Sequence, residues 1–289
     1  MALRGYGPGV RRHLGPALLL SALLTGCLPL DGVNVGDERA ATLVEPDDWD
    51  GTSALPLIIS LHGYGNTGAR FTRWVGLDEP RGAFVVAPDG LQDADGLRFW
   101  NATPDCCDFD DIGPDDVGYL LELVGLVRER WPVDPERIVL IGHSNGGFMS
   151  YTLACEAEHP FAALVSIAGS GAWDAEACAA TRPVSVLQVH GTEDRAQAIE
   201  GDPTGPSAFE MLDRWGERGG CDPELAVVES RDYTPYQDGA ETSVEALSGC
   251  DDGVAVELWR MVGANHNPSF NDAFKADVLD WMLARRRVD

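Results

Sequence analysis

The stretch Arg137-Ile138-Val139-Leu140-Ile141-Gly142-His143-Ser144-Asn145-Gly146-Gly147-Phe148-Met149-Ser150-Tyr151-Thr152-Leu153-Ala154 decides how the chain is read. Arg137 to Leu140 is a short apolar run with β-branched residues, and Phe148 to Ala154 reads as a helix. Between them lies Gly142-x-Ser144-x-Gly146, the pattern of a nucleophile elbow. Such a turn forces its serine into a strained backbone conformation, and small residues on either side keep Cβ atoms out of the way. A bare G-x-S-x-G is a weak signal, but its position between strand and helix is what the motif requires.

Working outward, the flanking segments repeat the same logic. Leu55-Pro56-Leu57-Ile58-Ile59-Ser60-Leu61, Phe84-Val85-Val86-Ala87-Pro88, Ala163 to Ala168 and Pro183 to Val189 are nearly unbroken apolar runs. Runs of this length are expected of strands covered on both faces of a parallel sheet. Helical spacing of Leu120, Leu121, Val124, Val127 and Trp131 predicts a helix over 117–131, capped by Asp115 or Asp116 and stopped by Pro132. Further helices are expected over 207–215 and from about Pro268 to Arg286, with a first strand over 40–44 and two last strands over 241–247 and 254–262. Strand, helix, strand in repetition predicts one doubly wound, mostly parallel α/β domain, and the elbow between strand and helix makes the α/β-hydrolase fold the expected one.

A serine hydroxyl needs a base to take its proton, and that base needs an acid to orient it. Of the six histidines, His266 lies in a loop after the last expected strand, in the chain order serine, acid, histidine that this fold uses. Asp194 follows the strand ending at Val189 by a few residues and is the expected acid, with Glu193 the next choice. Ser144, Asp194 and His266 are thus the expected catalytic residues. His62-Gly63-Tyr64-Gly65 follows a buried strand upstream of the elbow, so the backbone N–H groups of Tyr64 and Asn145 are expected to form the oxyanion hole. The long segment from Asp89 to Pro114 carries Trp100, expected either to line the substrate cleft or to anchor the loop by burial. Asp108, Asp110 and Asp111 do not fit a calcium loop, because Ile112 occupies a ligand position and no glutamate closes it. A triad of this kind requires neither metal nor organic cofactor.

Composition narrows the partners. The 289 residues carry a net charge of −26, which disfavours nucleic acid and anionic lipid surfaces. Residues 1–27 read as a targeting segment: Arg4, Arg11 and Arg12 precede the apolar run Ala17 to Leu24, which is too short to span a bilayer permanently. Leu24-Thr25-Gly26-Cys27 resembles a bacterial lipobox, so Cys27 is expected to be lipidated, anchoring the protein in the periplasm or at the cell surface, and residues 28–40 to form a tether before a catalytic domain over 41–289. The alternative is an ordinary secretory signal with a chance cysteine at its cleavage site and a secreted protein. Under the lipobox reading the protein would meet a membrane only through acyl chains. Lipidation also accounts for the odd count of seven cysteines, leaving Cys106, Cys107, Cys155, Cys178, Cys221 and Cys250 as disulfide candidates whose pairing spacing alone does not choose.

Taken together, Leu61 to Gly65, Trp100-Asn101 with Cys106-Cys107, Asp115 to Leu120, Gly142 to Gly147 and His190-Gly191-Thr192-Glu193-Asp194 resemble the exported esterases that include short-chain polyhydroxybutyrate depolymerases, feruloyl esterases and acetylxylan esterases. The resemblance covers residues 40 to 285 and implies a serine esterase with Ser144, Asp194 and His266 as its triad, acting on a small or oligomeric ester. It also implies the pairs Cys155–Cys178 and Cys221–Cys250, with Cys106 and Cys107 bonded to each other or reduced. Departures from that pattern at Ala264-Asn265-His266-Asn267-Pro268 and at Ala196-Gln197-Ala198 fall beside the expected cleft and leave substrate identity open. Two rival readings remain: a serine peptidase on the same triad, and a non-catalytic surface lipoprotein that binds a ligand.

Overall fold

The computed structural model describes residues 33–35, 39, 41–237, 239–251 and 253–288. In chain order the strands are β1 (Val33–Val35), β2 (Ala41–Val44), β3 (Leu55–Leu61), β4 (Phe84–Pro88), β5 (Leu91–Gln92), β6 (Arg98–Phe99), β7 (Val133–His143), β8 (Ala163–Ile167), β9 (Ser185–Gly191), β10 (Ala226–Arg231), β11 (Thr242–Ala246) and β12 (Val256–Met261). The α-helices are α1 (Gly68–Trp74), α2 (Asp116–Arg130), α3 (Asn145–Ala154), α4 (Ala208–Arg218) and α5 (Asp272–Leu283).

Among the described residues ten strands form one sheet in the order β1-β2-β4-β3-β7-β8-β9-β12-β11-β10. The six central strands, β4 to β12 in that order, pair in parallel. Both flanks are antiparallel. Because side chains alternate along a strand, Leu57, Ile59 and Leu61 of β3 point to one face and Ile58 to the other. The first face is covered by α2, α3 and α4 through Leu120, Val124, Phe148, Met211 and Trp215. The second is covered by α1 and α5 through Phe71, Phe274, Val278 and Leu279. Each fully buried Leu, Val, Met or Phe side chain of this kind contributes about 1.5–3 kcal/mol. The doubly wound, mostly parallel sheet expected from the apolar runs is the one observed.

Several boundaries differ from expectation. Residues 33–35, read as part of a tether, pair with β2 as an edge strand, so the folded unit starts before residue 41. β10 was not expected: all six of its residues are exposed, so no face of it carries an apolar pattern. Helix α2 is capped by Asp115, whose carboxylate accepts from Gly118 N–H, while Asp116 turns inward to Arg39. The 207–215 helix continues to Arg218 and is capped by Ser207, whose hydroxyl accepts from Glu210 N–H. The segment 89–114 is not wholly irregular, since β5 and β6 form a small hairpin within it.

Three disulfides are formed, Cys106–Cys107, Cys155–Cys178 and Cys221–Cys250. The two longer ones close loops of 23 and 29 residues, worth about 3 kcal/mol each in loop entropy. They fit export to an oxidising compartment. Cys27 and residues 1–27 lie outside the described residues. Among those described, no helix is long and apolar enough to cross a membrane.

Candidate active site

The elbow sits where β7 meets α3. Ser144 has φ 51° and ψ −120°, a left-handed conformation that a side-chain-bearing residue adopts only under constraint. Its N–H donates to Ile167 O at 2.8 Å, fixing the turn against β8. The flanking glycines are required by contact: a Cβ on Gly142 would strike the carbonyl of Gly146, and one on Gly146 would strike the carbonyl of Leu61.

The loop after β3 reaches the same point. A Cβ built on Gly63 would lie 3.4 Å from Cβ of Ser144, so the Gly63–Tyr64 peptide stands beside the serine. The carbonyl of that peptide accepts from His62 Nδ1 at 2.8 Å and from Asn66 N–H at 3.1 Å. In a trans peptide the N–H points opposite the C=O, so the Tyr64 N–H is aimed away from these partners. It donates to no backbone carbonyl among the described residues. The His62 ring is completed by Gly90 N–H donating to Nε2 at 2.9 Å, and burial depresses its pKa to about 4, keeping it neutral.

Asn145 opens α3, where the first N–H groups of a helix have no partner within it, and the Ser144 side chain does not cap them. The Asn145 side chain is occupied elsewhere: Oδ1 accepts from Trp100 N–H at 2.7 Å and Nδ2 donates to Trp100 O at 2.8 Å. Trp100 does not line the cleft, one of its two expected roles, but is fully buried, with its indole N–H donating to His62 O at 3.0 Å. A side chain with no exposed surface does not touch substrate. Trp100 braces the loop after β3 against the start of α3.

On the far side of the elbow, Asp194 and His266 meet. His266 Nδ1 lies 2.8 Å from Asp194 Oδ2, and Ala196 and Gln197 N–H groups both donate to Oδ1 at 2.9 Å. Burial alone would raise the Asp194 pKa, but hydrogen bonds from His190, His266 and the Gln197 amide outweigh it and hold the carboxyl well below the usual range. Asp194 is therefore an ionised acceptor that selects the His266 tautomer with its lone pair on Nε2. Glu193, the alternative acid, is exposed and remains outside this arrangement.

His143 joins the two halves. Its ring lies 4.9 Å from that of His266, centroid to centroid, and Nε2–H donates to the His266 carbonyl at 2.9 Å. Burial lowers its pKa to about 4, so it acts as a neutral strut. Trp74 packs edge-on against it at 4.9 Å. The Ser144 hydroxyl makes no hydrogen bond to His266 among the described residues; catalytic hydrogen bonds are often unformed in unliganded sites and tighten on substrate binding.

Sequence reasoning passed over His143, His190 and the Asn145 side chain as working parts. Adjacency was the available signal for His143 beside the nucleophile and for His190 four positions before Asp194; the Asn145 side chain offered none, since its partner Trp100 lies 45 positions away. A cavity of about 670 Å³ between α3 and α4, lined by Tyr151, Met211 and Trp215, includes none of Ser144, Asp194 and His266. No cluster able to hold a metal ion exists among the described residues.

A serine on a strained strand-to-helix elbow, with an acid and a histidine from later strand ends, defines an α/β-hydrolase. The chain belongs to the prolyl oligopeptidase family, which it matches over residues 115–285. It is 25% identical over 233 residues to a bifunctional acetylxylan esterase/xylanase of Neocallimastix patriciarum, covering 78% of this chain and 31% of that one. It is 28% identical over 238 residues to feruloyl esterase B of Piromyces equi, covering 76% and 41% respectively. The chain thus spans less than half the length of these two relatives, and the esterase resemblance read from its motifs is borne out by them. In fold it is similar to an acetyl xylan esterase from Aspergillus awamori, with a TM-score of 0.59 and 13% identity over 86% of this chain and 98% of that one.

Proposed function

We propose that this protein is a serine carboxylic ester hydrolase that works through an acyl-enzyme. The observation carrying the reading is the Asp194–His266 hydrogen bond at the rim that holds Ser144. His266 Nε2 takes the Ser144 proton as Oγ attacks the ester carbonyl. The Tyr64 and Asn145 N–H groups receive the developing oxyanion, and preorganised donors of this kind are worth about 3–4 kcal/mol each in the transition state. The tetrahedral intermediate collapses, and the alcohol leaves with the proton held by His266. Water then gives its proton to His266, attacks the acyl carbon and releases the acid, returning the proton to Ser144.

The names of the relatives, an acetylxylan esterase/xylanase and a feruloyl esterase, point to acetyl and feruloyl esters. The surface beside the hole suits a bulky apolar group: Phe109 is 67% exposed and packs edge-on against Tyr64 at 5.3 Å, with Leu97 exposed nearby. We therefore assign a preference for aromatic acyl esters over acetyl esters. The family's name would favour a peptidase reading. A panel of p-nitrophenyl acetate, a feruloyl ester, a hydroxyalkanoate ester and a proline-containing peptide anilide separates these. The expected order puts the feruloyl ester first and the anilide undetected; turnover of the anilide alone would replace esterase by peptidase.

We also propose that residues 1–27 are removed as a signal and that Cys27 carries the acyl anchor. The lipobox sequence Leu24 to Cys27 supports this. Expressed in a bacterium, the protein should partition with membranes, and Cys27→Ser should release it; a variant that stays membrane-bound would refute the anchor.

A further inference from the structure

Behind Asp194 a line of buried polar side chains runs from α3 through β9 to the rim. Tyr151 donates its hydroxyl proton to Gln188 Oε1 at 2.9 Å. The Gln188 amide nitrogen lies 2.9 Å from Gly169 O and 3.0 Å from His190 Nδ1. His190 Nε2 lies 2.8 Å from Gln197 O and 3.5 Å from Asp194 Oδ2. Tyr151, Gln188 and His190 are at most 1% exposed. None of them takes part in the chemistry described above.

The partners fix every proton in this line. A carbonyl oxygen only accepts, so Gly169 O requires the Gln188 NH2 group on its side, and the Tyr151 hydroxyl meets Oε1. The second amide hydrogen then points at His190 Nδ1, which must present a lone pair. The ring proton accordingly sits on Nε2, where Gln197 O accepts it and Asp194 Oδ2 stands at the edge of its reach. Asp194 Oδ2 therefore faces two imidazole N–H groups, a close one from His266 and a longer one from His190.

We propose that His190, held in one neutral tautomer by Gln188 and Tyr151, is a positioning residue that sets how strongly the Asp194 carboxylate bears on His266. The proposal rests on the reading of Ser144, Asp194 and His266 as a hydrolytic triad. A neutral N–H facing Oδ2 takes up part of the carboxylate's charge and holds its plane without introducing a competing cation. Without that donor, the carboxylate charge acts on His266 undivided and favours its protonated form. The other titratable neighbours do not share this part. His143 packs on His266 from the elbow and is held neutral by burial, while Glu193 and Arg195 flank Asp194 with exposed side chains.

The experiment is the pH dependence of kcat/KM for p-nitrophenyl acetate in the full-length protein and in His190→Leu, His190→Gln, Gln188→Met and Ser144→Ala, each checked for folding by circular dichroism. In His190→Leu the acid limb should move to higher pH by about half a unit to one unit. Its kcat should fall about tenfold, the effect of one charge-assisted hydrogen bond, with KM within about twofold. His190→Gln restores an N–H donor and should return the limb towards that of the parent. Gln188→Met frees the tautomer without touching Asp194 and should shift the limb in the same direction by less, so it carries the test if His190→Leu does not fold.

A folded His190→Leu with the parent's acid limb overturns the proposal, as does a loss of activity that His190→Gln fails to recover. Should His190→Leu be unfolded, an unchanged limb in folded Gln188→Met overturns it instead. Ser144→Ala separates the two levels. Activity surviving there removes the triad reading itself, whereas activity abolished there beside an unshifted His190→Leu profile removes only this role of His190.

Discussion

Ser144→Ala is expected to lower kcat for p-nitrophenyl esters by about five to six orders of magnitude, the scale seen when a serine hydrolase loses its nucleophile. The size follows from chemistry: without Oγ no acyl-enzyme forms, and what remains is water acting in a site whose hole and binding surface are intact. Folding should be untouched. The Ser144 side chain makes no cap bond to α3, and alanine meets the same backbone constraint at φ 51°. Thermal denaturation should therefore give a melting temperature within about 2 °C of the parent, or slightly above it, because active-site strain is commonly relieved at the expense of function. Activity within tenfold of the parent would assign the hydrolysis to another residue.

The second large effect belongs to Asp194. In Asp194→Asn the carboxamide is nearly isosteric, yet it loses the charge and can turn an N–H donor towards His266 Nδ1. The imidazole then keeps its proton on Nε2, facing the serine, and cannot accept the hydroxyl proton. A fall of about four orders of magnitude in kcat is expected. KM should change little, since Asp194 is buried and touches no substrate. Two amide donors to Oδ1 and the His190 N–H facing Oδ2 also lose a charged partner, so a loss of about 1–3 kcal/mol in urea denaturation should accompany it. Wild-type turnover in a folded Asp194→Asn would pass the role to Glu193 or abolish the need for an acid.

What the sequence made legible was whatever a local rule forces. The elbow was readable because its turn admits only glycine at 142 and 146, where any Cβ meets backbone. Strands β3, β4, β8 and β9 were readable because burial on both faces leaves no polar alternation to confuse them. His266 and Asp194 followed from chain order, and the structure brings their side chains within 2.8 Å. Strand β10 escaped because an exposed edge carries no burial signature. Helix α1 escaped because its seven residues hold too few apolar positions to set a period.

Trp100 and the line from Tyr151 to His190 show the deeper limit. An aromatic residue in a long loop reads equally as cleft wall or as anchor, and only the hydrogen bond from its indole to His62 O and those between its backbone and Asn145 decide for the anchor. Tyr151 and Gln188 are 37 positions apart, and no periodicity links a helix residue to a strand residue across a helix–sheet interface. Side-chain hydrogen bonds of this kind are specified by the fold after it forms, so they become visible only with coordinates.

The central claim is that Ser144 is an activated nucleophile, and labelling with a fluorophosphonate followed by peptide mapping tests it most directly. The account predicts one phosphonyl adduct, on the peptide containing Ser144, formed by the folded protein and lost after heat denaturation and in His266→Ala. A folded protein that takes up no label, or takes it up at another residue with Ser144 unmodified, would contradict it.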